Sequence, residues 1–162
     1  MLLMIKKYHS RIAGMAFSNT SVGINHALAH ALGAKFHIPH GRANAAFLLS
    51  TIDFNSGIPT KFMPFPNYKH YVAPQKYIEI AKLLGCNGDN EKQFINSLKD
   101  KIKDLLKKTG LPARVSELEI KLDDYLSAIP DLINKATSDL SLRTNPRMPL
   151  VHELEEIFRN AY

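Results

Sequence analysis

The chain has 162 residues, a formal net charge of +6 at pH 7 and a single cysteine. A chain of this length forms one domain with a substantial core, and the lone Cys86 excludes a disulfide framework and is typical of the reducing cytoplasm. No apolar run approaches the roughly 20 residues that a transmembrane helix needs. Residues 1–5 precede two lysines, which is the wrong order for a secretory signal. We therefore expect a cytoplasmic protein with no membrane partner.

The positive charge does not indicate a nucleic-acid partner. Its densest block, residues 99–108, carries five lysines, but Asp100 and Asp104 lie between them. On a helix this alternation is typical of a solvated face, and the chain lacks an interleaved aromatic and basic platform. The excess charge can still attract an anionic cofactor.

The apolar pattern is helical almost throughout the chain. Helices are predicted over residues 4–18, 22–33, from about 40 to 54, 75–84, around 94–106, 122–138 and 150–161. Residues 59–74, rich in proline and aromatics, predict an ordered surface loop. There is no strand alternation, Gly-rich phosphate loop or paired-cysteine zinc spacing. The sequence therefore predicts an all-α bundle, a single helical domain over residues 1–162.

Particular residues predict the boundaries of these helices. Thr20 or Ser21 is a candidate N-cap for the second helix, and Gly33 is expected to end it. Pro130 predicts a kink or a junction between two helices. Arg147, in the turn before the last helix, is interpreted as a structural residue that hydrogen-bonds helix ends.

Four of the seven histidines lie within fifteen residues: His26, His30, His37 and His40. His26 and His30 have the (i, i+4) spacing that places two side chains on one helix face. The other two lie around Pro39, in a bend that can swing back towards that face. Imidazole is the commonest metal ligand, and burying it unpaired would cost several kcal/mol. A metal or catalytic site is favoured over ordinary polar histidines, although no carboxylate lies within the cluster.

The spacing of glycines and histidines here resembles the signature of the iron-containing (group III) alcohol dehydrogenases. The matching residues are Gly23-x-x-His26-x-x-x-His30-x-x-Gly33-x5-Pro39-His40-Gly41-x-x-Asn44-Ala45. Residues 12–19, 36–41 and 144–150 are similar to the alcohol dehydrogenase half of bifunctional aldehyde-alcohol dehydrogenases. The resemblance covers residues 7–162.

The resemblance implies a fold and a set of residue roles. In that family a helical C-terminal domain and a Rossmann-like domain enclose a metal held by an Asp and three His, and the last two ligands match His26 and His40. His30 matches a histidine beside the nicotinamide and the substrate, and so implies a catalytic and cofactor-binding role. His37 is implied on the substrate side. Phe17 matches an aromatic that faces the cofactor and substrate pocket, which implies a cofactor-binding role.

The implied reaction is reversible hydride transfer between NADH and acetaldehyde, with Fe(II), or alternatively Zn(II), as the Lewis acid. The family's other two ligands and its cofactor domain lie upstream of the residues matched here. We therefore expect this chain alone to bind metal weakly, to show no turnover and to self-associate through an uncovered apolar face, with the N-terminal dehydrogenase domain as its partner. The alternative is a non-catalytic helical remnant that serves assembly.

Overall fold

A computed structural model describes residues 2–59 and 71–162, and all regular elements in these two ranges are helical. This confirms the predicted all-α class. The α-helices are α1 (Leu2–Thr20), α2 (Ile24–Phe36), α3 (His40–Ser56), α4 (Ala73–Leu83), α5 (Glu91–Lys108), α6 (Leu122–Ser138) and α7 (Val151–Asn160), with short 3₁₀ turns at Val115–Leu118 and Leu140–Thr144. Most of the predicted loop over residues 59–74 lies outside the described residues.

Helix α2 is the centre of the bundle, packed against α3 on one side and α6 on the other. Its first three alanines and both leucines are buried. The small alanine side chains let the neighbouring helices approach closely. Helix α7 closes the core, where Phe158 meets Phe47 edge to face at 5.5 Å between ring centroids. The buried hydroxyl of Tyr125 donates to the backbone oxygen of Phe158 over 2.8 Å, which ties α6 to α7.

Helices α4 and α5 form a smaller unit beside α3, with its own cluster around Ala81, Cys86 and Leu98. Helix α5 begins where Asn90 accepts a hydrogen bond from the Gln93 backbone, the usual role of an N-cap asparagine. No helix in the described part of the chain is long and apolar enough to cross a bilayer.

Two of the predicted boundaries of α2 are wrong. Thr20 is the last residue of α1 and Ser21 has a φ of 63°, so neither caps α2; the N-cap is Gly23, which has no side chain to cap with. The helix also continues past Gly33 to Phe36. A Cβ at Gly33 would approach the carbonyl oxygen of Ile38 to 3.0 Å, so this glycine makes room for the bend rather than ending the helix.

Pro130 and Arg147 were the subject of two other predictions. Helix α6 runs through Pro130 to Ser138, so the proline does not separate two helices. Arg147 links two helix ends, as predicted: its Nη1 donates to the Gly57 oxygen over 3.0 Å and its Nη2 to Glu153, near the start of α7, over 3.3 Å. Its guanidinium carbon also lies 3.7 Å from the ring centroid of Phe54.

Helix α1 differs from the rest of the bundle. Among its described side chains none is buried, although several are large and apolar. Four of them are more than half exposed: Tyr8, Ile12, Met15 and Phe17. The hydroxyls and amide near its end fold back on the helix, as in the bond from Ser18 to the Gly14 oxygen. This helix therefore presents an apolar surface that the described residues do not cover.

Candidate functional site

Three histidine side chains meet at one place between α2 and α3. His26 and His30 lie one turn apart on α2, and His40 is the first residue of α3. The ring centroids lie 6.0 Å apart for His26 and His30, 5.2 Å for His26 and His40, and 5.0 Å for His30 and His40. The bend between the helices thus returns His40 to the face that carries the other two, as the spacing predicted.

His37 occupies a different position in the same bend. It is the C-cap of α2 with a φ of 57°, and its side chain is exposed. Within the two described ranges it makes no ring contact or hydrogen bond with the other three histidines. Phe17 lies on the exposed helix α1 and likewise makes no ring contact with them within those ranges. The substrate-side role of His37 and the cofactor role of Phe17 stay predictions.

A carboxylate that the local sequence did not indicate joins the cluster. The Oδ2 of Asp139 lies 2.6 Å from Nδ1 of His30, across 109 residues of chain. The other carboxylate oxygen accepts a hydrogen bond from the Ser141 backbone over 2.7 Å. Partial burial acts to raise the pKa of Asp139, but the hydrogen bonds from Ser141 and His30 outweigh it, and the pKa lies below its ordinary value.

His40 has a separate set of supporting residues. The Nδ2 of Asn44 lies 3.0 Å from Nε2 and 3.4 Å from Nδ1 of His40, and the Oδ1 of Asn44 accepts from Asn25 over 2.8 Å. The hydroxyl of Thr51 in turn donates to Asn25 over 3.0 Å. A chain of polar side chains from α2 and α3 therefore leads to the ring of His40.

The start of α2 is held by a turn distant in sequence. Asn145 Oδ1 accepts a hydrogen bond from the Ile24 backbone over 3.1 Å, which replaces the missing N-cap side chain. Thr144 donates to the oxygen of Val22. A Cβ at Gly23 would lie 2.6 Å from Asn145 Oδ1, so a glycine is needed for this approach. Asn145 also donates to Oδ1 of the buried Asn55 over 2.8 Å.

The electrostatics of the cluster favour the neutral form of His26. Burial lowers the pKa of His26 below its ordinary value, and the positive charges of protonated His40 and His30 would lower it further, whereas Asp139 acts in the opposite direction. A neutral imidazole is the form that binds a metal ion.

The spacing of the rings is compatible with two ligands of one metal ion. Two imidazoles bound to one tetrahedral ion at about 2.1 Å place their ring centroids about 5 Å apart, a distance met both by His26 with His40 (5.2 Å) and by His30 with His40 (5.0 Å). Yet in residues 2–59 and 71–162 no three His, Cys, Asp or Glu side chains are placed to hold a metal ion together. The donor chemistry suits Fe(II) or Zn(II), with further ligands still required.

Comparison with known proteins gives one consistent result. Residues 6–162 match the family described as "Fe-containing alcohol dehydrogenase family, C-terminal". The chain is 37% identical over 154 residues to the bifunctional aldehyde-alcohol dehydrogenase AdhE of Escherichia coli, covering 93% of this chain and 17% of that protein. It is also 37% identical to the 1-propanol dehydrogenase PduQ of Salmonella typhimurium, covering 91% of this chain and 37% of that protein.

The same similarity holds in three dimensions. The chain superimposes on a crystal structure of 1,3-propanediol oxidoreductase with a TM-score of 0.78 and 30% identity. The match covers 96% of this chain and 36% of that structure. The chain thus spans between 17% and 37% of the length of these relatives.

Proposed function

Because this chain belongs to the Fe-containing alcohol dehydrogenase family and matches its C-terminal part, we propose that it is the helical, metal-binding part of an NAD-linked alcohol dehydrogenase. The proposed reaction is the interconversion of acetaldehyde and ethanol, or of a similar short-chain pair, in the cytoplasm. The observation that carries this proposal is the convergence of His26, His30 and His40 with centroids 5.0–6.0 Å apart. Relatives named for aldehyde, alcohol and propanol chemistry support the substrate class.

The residues have separate roles in this proposal. His26 and His40 hold a divalent metal ion, Fe(II) or alternatively Zn(II), of which they supply half of the ligands. When bound, the ion supplies Lewis-acid polarisation of the substrate oxygen. His30 lies beside them and exchanges a proton near the nicotinamide and the substrate. Phe17 faces the cofactor, and His37 lies on the substrate side.

The chain by itself is proposed to be inactive. Two imidazoles give less binding free energy than a complete set of ligands, and catalytic metal sites use about three protein ligands besides an open position. The remaining ligands and the NAD(H)-binding surface are assigned to the part of the dehydrogenase that this chain does not cover. That part is also the partner proposed for the exposed face of α1. Without it, we expect the apolar residues of α1 to drive self-association.

A metal titration tests the proposed site. Fe(II) and Zn(II) are titrated anaerobically into the purified chain, the His26→Ala/His40→Ala variant and a His152→Ala control, because His152 is exposed on α7. We expect weak binding by the chain and the control, well below the roughly 10–16 kcal/mol of complete structural zinc sites, and none by the double variant. Equal binding by all three proteins would refute the assignment of His26 and His40.

A second candidate function is assembly without chemistry, and the exposed apolar face of α1 is the observation that favours it. To distinguish the two functions, a chimera is made in which this chain replaces the corresponding part of the 1-propanol dehydrogenase relative. NADH oxidation by acetaldehyde is then measured with and without His26→Ala. The dehydrogenase proposal expects activity that this substitution abolishes. A folded chimera with no activity at any metal loading supports the assembly role instead.

A further inference from the structure

We propose that Asp139 is a positioning residue that holds neutral His30 as its Nδ1–H tautomer and so leaves a free lone pair on Nε2 at the candidate site. The purpose of this arrangement rests on the proposed function. The tautomer itself is a property of the chain and can be measured without any activity.

The contact between the two side chains determines where the ring proton lies. The distance of 2.6 Å between Nδ1 and Oδ2 is that of a hydrogen bond, at the short end of the usual range. An ionised carboxylate can only accept, so the proton must be on the Nδ1 of His30. Because a neutral imidazole carries one proton, the Nε2 of His30 then has a free lone pair.

The carboxylate is itself held in place. One oxygen of Asp139 accepts from the Ser141 backbone over 2.7 Å, which leaves the other for His30. The side chain of Asp139 is only 19% exposed. The turn that follows also anchors α2, through Thr144 to Val22 and Asn145 to Ile24. The same segment therefore fixes both the helix that carries His30 and the carboxylate that faces it.

The opposite side of the His30 ring is available for chemistry. Its Nε2 has no hydrogen-bond partner within the described ranges, and the side chain is 46% exposed. A proton relay needs one ring nitrogen that can take up and release a proton while the ring stays oriented. A carboxylate on Nδ1 suits this role, because it holds the ring in place and selects the tautomer whose Nε2 has a free lone pair.

A purely structural role of Asp139 would give a different result for the His30 ring. If Asp139 only joined α2 to the turn, an isosteric amide could replace it without consequence for the ring. An asparagine, however, carries an NH₂ group that can donate to Nδ1, and His30 would then carry its proton on Nε2. Asp139→Asn therefore separates a tether from a tautomer-selecting carboxylate.

The test is a long-range ¹H–¹⁵N NMR correlation on the labelled chain, at a pH well above the ordinary histidine pKa of about 6.5. We expect wild-type His30 to show a protonated Nδ1 and an unprotonated Nε2. In Asp139→Asn and in Asp139→Ala we expect the Nε2–H tautomer to dominate, with far-ultraviolet circular dichroism unchanged. Asp131→Asn is the matched control, because this α6 carboxylate faces Lys35 and Lys135 instead.

The outcomes are separable from those of the metal titration. A wild-type His30 in the Nε2–H form, or an Nδ1–H form that survives in both Asp139 variants, overturns the proposal. The same is true if Asp131→Asn shifts the tautomer equally. Absence of metal binding with the tautomer intact would remove the proposed function and leave only the selection of the His30 tautomer by Asp139 standing.

Discussion

Helices α1 and α2 are neighbours in sequence, and both are rich in small and apolar residues, yet they lie in opposite environments. Helix α2 is enclosed by α3 and α6, with Leu28 and Leu32 fully buried. Helix α1 has no buried residue among its described side chains, and Ile12 is 60% exposed. An apolar pattern in the sequence thus does not by itself show that a helix is buried within the same chain.

The candidate site residues differ in the same way, because some lie on the buried helix α2 and one lies on the exposed helix α1. His26 and His30 lie on the enclosed helix, so packing and hydrogen bonds within this chain orient them. Phe17 lies on the exposed helix, where its surroundings depend on whatever covers α1. The four predictions below test this division, from the largest expected effect to the smallest.

The largest effect is expected from paired truncations in the two helices. Leu28→Ala removes a fully buried side chain and should lower the free energy of unfolding by about 3 kcal/mol. Ile12→Ala removes an exposed one and should change it by less than about 0.5 kcal/mol. Urea denaturation of both variants measures the difference. Comparable losses would show that α1 is packed in solution.

The second prediction concerns the capping of α2 from a distance. Asn145→Ala removes the acceptor for the Ile24 backbone and leaves the buried Asn55 without this partner, so we expect a loss of about 2 kcal/mol. Asn134→Ala, on the exposed face of α6, is the control and should lose far less. If the two variants unfold at the same denaturant concentration, Asn145 does not hold the helix.

The third prediction addresses the uncovered face directly. Ile12→Glu places a charge in the exposed apolar surface of α1 and should weaken self-association about tenfold, or about 1.4 kcal/mol. Leu83→Glu is the control, because Leu83 is 86% exposed on α4. Sedimentation velocity over a range of concentrations measures both. A wild-type chain that stays monomeric throughout would contradict the prediction.

The fourth prediction is an effect of pH on the buried core, through Tyr125. Burial raises the pKa of Tyr125 above its ordinary value of about 10, so the unfolded chain loses this proton before the folded one does. The contribution of Tyr125 to the free energy of unfolding is therefore complete below about pH 10 and declines as the pH rises further. We expect Tyr125→Phe to lose about 1 kcal/mol at pH 8, because its hydrogen bond to Phe158 is removed, and to show a shallower decline at high pH. Tyr8→Phe, in the exposed helix, should reproduce the wild-type curve.

Much of the fold could be predicted because helical periodicity is a local property. Helix α6 was predicted over the residues that it occupies, and α3 from its first residue. The boundaries of α2 were predicted wrongly because its N-cap partner, Asn145, comes from a distant turn. Gly33 was interpreted as a terminator, whereas the structure uses its small size for close approach to Ile38.

The candidate site divides in the same way. The sequence by itself determined that His26 and His30 share a helix face and that a proline-containing bend brings His40 back, because both follow from spacing within fifteen residues. Only the tertiary structure decided that Asp139 meets His30 and that the other described residues leave the apolar face of α1 exposed. Both depend on which helices pack together. Residues 109 positions apart in the sequence carry no local pattern that indicates their contact in the fold.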